Sequence, residues 1–239
     1  MEPEPVTEVP PRRVRPVVLR QRWRDVAFLH WPLDPARAAP LLPPGTRPDV
    51  LDGRTFVGVV ALEMARTRVL AGPALPWVGT FGQVNVRLYS VDSRGRRGVV
   101  FLELHADRLL PALVARSLGG LPYAWHPVRI ERDGERRGYT VGPLAGAAEA
   151  HIEVSVGRPW EPDALERFVT DRWGLHTRIA GRTVYAGIDH GPWRLQAAEV
   201  LDPGGDLLAA AGLREVVGPP ESVLWSPGMD AVRIGPAVR

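Results

Sequence analysis

Residues 83–91 read QVNVRLYSV, a regular alternation of polar and apolar side chains that only an extended strand can sort onto two faces. Gln83, Asn85, Arg87 and Tyr89 then share one face, and Val84, Val86 and Leu88 the other. Residues 98–106, GVVFLELHA, repeat the pattern, with Glu103 and His105 on one face and Val100, Leu102 and Leu104 on the opposite one. The polar, glycine-containing DSRGRRG between them is a hairpin turn. An antiparallel pair with one apolar face must bury that face, and its polar face meets either solvent or the wall of a wet cavity.

The rest of the chain has the same texture. Apolar strand-like runs begin at Asp25 and at Thr55, the second extending to Leu70. Further strands are predicted at 126–132, 137–143, 147–156, near 175–189, at 193–201, and near 221–225 and 230–235. Short helices are predicted after Asp34, over 107–119, over 161–173 with Asp163 as cap, and around 206–213. The 25 Gly and 25 Pro are scattered between these runs, as many short strands joined by turns require. The expected fold is mainly β (α+β): one curved or closed antiparallel sheet with a few short helices. Residues 1–16, rich in Pro, Glu and Arg, are expected to be a flexible tail, and 17–239 a single domain.

Composition removes several chemistries. There is no cysteine, so disulfides, thiolate nucleophiles and thiolate metal sites are excluded. All 30 basic residues are arginine, and a chain without lysine cannot form a Schiff base through a lysine amine. The net charge of +3 is small, and part of the positive excess lies in the first two dozen residues. Without a nucleic-acid-binding motif, a nucleic-acid partner is not expected. No apolar run reaches the length of a membrane span and no signal-peptide core is present, so the cytoplasm is the expected location. Phosphate-cradling glycine strings and a nucleophile elbow are absent, and no cofactor is expected.

Two settings are open to the polar strand faces. If they line a cavity, Glu103 and His105 form an acid–base pair and Arg87 an anion clamp. If they meet water, they form a surface ion-pair cluster. Glu149, His151 and Glu153 alternate with small apolar residues and are expected to face water, and the six histidines lack zinc-site spacing, so no metal is expected.

Five separated strings, RWRDVAFLHWPLDPARAAPLLPPG, LPWVGTFGQVNVRLYSV, GLPYAWH, HGPWRLQAAEV and LWSPGMDAVRI, together resemble the YqjF-like family of uncharacterised bacterial proteins. That family is placed in the acetoacetate decarboxylase-like superfamily, and the resemblance spans about Arg20 to Arg233. It implies a barrel-like antiparallel sheet around an enclosed pocket, and so favours the cavity setting for Arg87. Decarboxylases of this superfamily carry the Schiff-base lysine and a second lysine after a G-F-P tripeptide. Here Gly120-Leu121-Pro122 is followed by Tyr123 and Ala124, which puts Tyr123 in the pocket as a hydrogen-bond or proton donor. Gln83 stands where the family tends to have an acidic residue, and Glu103-Leu104-His105 where it tends to read S-L-D. Trp31, Pro32, Trp77, Trp193 and Pro227 in the shared strings are expected to pack or shape turns.

The expected function is therefore a lysine-independent acid–base enzyme of lyase, isomerase, dehydratase or cyclase type. Its substrate would be an anionic or carbonyl-bearing metabolite. Arg87, Asn85 and Gln83 would bind it, and Glu103, His105 and Tyr123 would move protons. The alternative is a non-catalytic sensor or carrier using the same pocket, with self-association left open in either case.

Overall fold

The computed structural model describes residues 1–74, 79–107, 120–143 and 149–239. The helix expected over 107–119 and Trp77 fall outside the described residues, apart from Asp107 in an extended segment's exit.

Seven strands close into a barrel. They are β1 (Leu19–Leu33), β3 (Thr55–Val69), β4 (Phe81–Asp92), β5 (Arg97–Ala106), β10 (Gly174–Ile179), β11 (Arg182–Asp189) and β13 (Ser222–Val238), and pairing of β13 with β1 completes the ring. The two closing strands expected from sequence are one, since β13 runs through Pro227 and Gly228 without leaving the sheet. Short β2 (Thr46–Pro48) and β6 (Tyr123–Trp125) attach to β4 and β5. A meander of β7 (Val128–Asp133), β8 (Arg136–Val141), β9 (Ala150–Pro159) and β12 (Gln196–Pro203) continues from β13 as a second layer.

The second layer explains why β1, β3 and β4 are so apolar. Ala27, Leu29, Val57, Val59, Val84 and Val86 point outward from the barrel, yet they are buried against Val128, Tyr139, Ile152 and Val154 of the meander. The opposite face of the same strands, including Val26, Phe28, Val60, Leu62 and Phe81, points inward. Strands covered on both sides read as continuous hydrophobic runs. Trp31 packs in the outer layer and donates from its indole to the Gly218 carbonyl at 2.9 Å.

The helices are short and capped as their sequences suggest. In α1 (Pro35–Ala38) the Asp34 side chain accepts from Ala36 N. In α2 (Ala164–Thr170) Asp163 and Glu166 form a reciprocal capping box. A third helix, α3, covers Asp206–Ala210. No helix among the described residues is long and apolar enough to cross a membrane.

Residues 1–16 do not hang free of the domain. Glu4 N donates to Gly95 O at 2.8 Å, Arg97 Nε donates to Glu4 O at 2.5 Å, and Trp173 Nε1 donates to Thr7 O at 2.9 Å. Val6 also packs against an apolar cluster of the barrel. Val6 and the carbonyls of Glu4 and Thr7 thus have partners that the arm's composition could not reveal. Deleting residues 1–15 is expected to cost about 3 kcal/mol, or roughly 5–10 °C in melting temperature, from three lost hydrogen bonds and the Val6 contact. Thermal denaturation of the truncated protein checks this, and an unchanged midpoint would show that the arm contributes nothing.

Candidate active site

The barrel encloses a cavity of about 470 Å³. Gln83, Asn85 and Arg87 line it together, as the alternation in β4 predicts, and Tyr123 of β6 lines it too. The Tyr123 hydroxyl donates to Gln83 Oε1 at 3.0 Å. Gly120 makes this approach feasible. It lies at φ +54°, and a Cβ there would sit 1.9 Å from the Arg178 carbonyl oxygen, so only glycine fits before Leu121 and Tyr123 enter the wall.

Glu103 and His105 are not in the cavity. At the start of the hairpin Tyr89 faces Val99 and Arg87 faces Phe101, a register that would have put Glu103 beside Asn85 and His105 beside Gln83. A bulge intervenes at Leu102, after which Val86 faces Glu103 and Val84 faces His105. One extra residue moves every later side chain of β5 to the other face. The expected convergence with Arg87 is thereby overturned. Outside the barrel His105 Nε2 lies 3.1 Å from Glu103 Oε2, and His105 Nδ1 lies 3.0 Å from His126 Nδ1. Burial pushes the His105 imidazolium down to about 4, with nearby His126 adding to the effect, and burial raises the Glu103 carboxyl.

Two residues not singled out from sequence take their place. Arg172 and His190 both line the cavity. Arg172, only 4% exposed, follows the end of α2 and donates from Nε to Phe168 O at 2.5 Å. Arg87 donates from Nη2 to Val169 O at 3.0 Å, so both guanidiniums hold carbonyls in the last turn of the same helix. The two flank Tyr89, with their Cζ atoms 5.5 and 4.8 Å from its ring centroid.

The Tyr89 hydroxyl donates to Val169 O at 3.1 Å and accepts from Arg87 Nε at 3.1 Å. His30 Nε2 lies 2.6 Å from the same hydroxyl. Burial, reinforced by Arg87 and Arg172, holds His30 well below the ordinary histidine value.

Charge is unevenly balanced here. Arg172 Nη1 donates to the fully buried Asp49, which also accepts from Arg97. Its Nη2 is buried with no hydrogen-bond partner, as is Asn85 Oδ1. Arg87 has no carboxylate within 4 Å among the described residues, and no Asp or Glu among them lines the cavity. His190 donates from Nδ1 to Gly191 O at 2.7 Å and sits among Trp23, Trp173 and Trp193. Burial pushes it down to about 4, so it is neutral at pH 7.

A second constellation has catalytic residue types without catalytic access. Ser90 Oγ lies 2.8 Å from His176 Nδ1, and His176 Nε2 lies 3.6 Å from Asp92. Ser90 is fully buried and lines no described cavity, so these groups tie β4, β5 and β10 together. Glu149 and Glu153 pair with Arg129 and Arg136 on the outer surface, and no cluster suited to a metal ion occurs among the described residues.

A family profile described as an uncharacterized conserved protein, DUF2071, matches residues 20–230. The chain belongs to this family. It is 31% identical over 186 residues to the uncharacterized protein YqjF of Bacillus subtilis (strain 168), covering 76% of each chain. Among solved structures, an acetoacetate decarboxylase-like enzyme from Sphingomonas wittichii RW1 matches with a TM-score of 0.63 and 18% identity, covering 93% of this chain and 92% of its own. The enduracididine biosynthesis enzyme MppR, solved with pyruvate, matches with a TM-score of 0.62 and 16% identity over 95% and 92% of the two chains. The DUF2071 chain thus has the acetoacetate decarboxylase-like fold.

Proposed function

We propose that this DUF2071 protein binds a small organic carboxylate at Arg87 and Arg172 and acts on it as a lysine-independent enzyme of lyase or isomerase type. The observation that carries the reading is the pair of guanidiniums flanking Tyr89 in a cavity that no described carboxylate lines. Two guanidiniums in a low-dielectric site bind a carboxylate strongly, because the charge-assisted contacts are short and poorly screened there and Arg172 is already desolvated. MppR, a relative in fold, was solved with pyruvate, which supports a carboxylate ligand.

The same groups would stabilise negative charge on an adjacent carbonyl oxygen as it forms. Asn85 would orient the substrate, its buried Oδ1 accepting from a substrate donor. Neutral His190 is suited to accept a proton, and the Tyr123 hydroxyl, kept protonated because burial raises its pKa, can turn its one proton from Gln83 to the substrate. Glu103 and His105 have no part in this reading, because they lie on the opposite face of the sheet.

A non-catalytic carrier is the second reading. It is favoured by the position of the Glu103–His105 pair outside the cavity.

Native mass spectrometry of the purified protein tests the anion site. A small acid is expected to be retained by the wild type and lost from Arg87→Ala, with affinity at least about tenfold weaker for one charge-assisted contact removed. Retention unchanged in Arg87→Ala would refute the assignment. Proton NMR of the released acid after incubation then separates the readings: a changed compound marks an enzyme and an unchanged one a carrier.

A further inference from the structure

We propose that the ligand is an amphipathic monocarboxylate, seated carboxylate-first, with an apolar body of roughly 8–12 carbons. The inference rests on the anion-binding reading above and adds the substrate class.

Strand register orders the cavity wall from end to end. Leu19 faces Val69 and Ile234 at one end, where Gly235 and Ala237 also line the wall. Phe28 faces Val60, Val60 faces Asn85, and Arg87 faces Gly58 at the other. At the first end Leu19, Val69, Ile234 and Ala237 are partly or fully exposed, so this end is the mouth. At the second, Phe28, Val60, Asn85 and Arg172 are buried. The guanidiniums therefore sit at the closed end, and a bound carboxylate must point inward with the rest of the molecule extending toward the mouth.

That remainder meets an apolar wall. Between the two ends the lining includes Trp23, Leu62, Met64 and Phe81, with Phe101 and Trp193 nearer the closed end. No guanidinium besides those of Arg87 and Arg172 lines the cavity among the described residues, and His190 is neutral at pH 7. A second carboxylate along this wall would be desolvated without a partner. At about 30 Å³ per non-hydrogen atom, the cavity's volume accommodates roughly 15 such atoms. An acid the size of pyruvate would leave most of the apolar surface uncovered.

Isothermal titration of the full chain with straight-chain carboxylates from propanoate to tetradecanoate, below their micelle concentrations, tests the class. Affinity is expected to rise about fourfold per methylene, to stop rising near decanoate or dodecanoate, and to fall at least about tenfold when decanol replaces decanoate. Leu62→Trp, or the milder Leu62→Phe, should move the cut-off to shorter acids while leaving the shortest ones unaffected. If propanoate and pyruvate bind as tightly as decanoate and Arg87→Ala abolishes that binding, the anion site stands and the amphipathic class is overturned. If decanol matches decanoate and Arg87→Ala changes neither, the anion site itself is overturned. Failure of every acid to bind would overturn both.

Discussion

Asp49→Ala is expected to destabilise the protein by about 3–5 kcal/mol, lowering its melting temperature by roughly 10 °C. Asp49 is completely buried, and its carboxylate accepts from both Arg97 and Arg172. Burial lowers the Arg172 guanidinium from its ordinary value, and the charge of Asp49 opposes that effect. Removing Asp49 strands a buried cation, which costs more than the pair contributes over an apolar substitute. Asp49→Asn separates charge from shape, since it retains the side-chain volume and should still lose most of the stability. Thermal melts of both variants decide the matter, and wild-type stability in Asp49→Asn would show that charge compensation is unimportant. A carboxylate bound at Arg172 supplies replacement charge, so decanoate should raise the melting temperature of the Asp49 variants more than that of the wild type.

Acidification is expected to destabilise the protein strongly between pH 6.5 and pH 4. His105, His176 and His190 all fall from an ordinary 6.5 to about 4 in the folded protein, chiefly through burial, and His30 is lowered in the same direction. The unfolded chain therefore binds more protons than the native one across this window. Stability is fully present above the unfolded value and is lost as pH falls toward the folded one. Asp171 and Glu103 act oppositely: burial raises Asp171 to about 6 and lifts Glu103 above its ordinary value, so the native state gains relative to the unfolded state as each protonates. Three histidines at ~3 kcal/mol each outweigh these two carboxyls, leaving a net loss of about 5 kcal/mol. The melting temperature should drop by roughly 10–20 °C between pH 7 and pH 4. His105→Gln should flatten part of this dependence, because glutamine does not titrate. A melting temperature constant over that range would contradict neutral buried histidines.

Much of the architecture was legible in the residues. Alternation in 83–91 put Gln83, Asn85 and Arg87 on one face, and the structure has all three lining the cavity. The family strings, together with the absence of lysine, gave the expectation of a barrel that cannot use a lysine imine. Asp34 and Asp163 marked helix starts because capping is local chemistry, complete within a few residues.

What sequence by itself determined is which residues of an unbulged strand such as β4 share a face, where the turns and caps fall, and which nucleophiles are absent. Those properties depend on backbone geometry over a few residues or on composition. Only the tertiary structure decided which strand faces meet. The bulge at Leu102 set Glu103 and His105 opposite Val86 and Val84, although an unbroken alternation through β5 had been expected to bring them to the face of Arg87. Arg172 joined Arg87 because both reach carbonyls at the end of one helix, a contact between segments far apart in the chain. The amino-terminal arm found its partners on β5 and at Trp173 for the same reason. Register, closure and long-range contacts are fixed by the free energy of the whole barrel, and no local pattern of side chains encodes them.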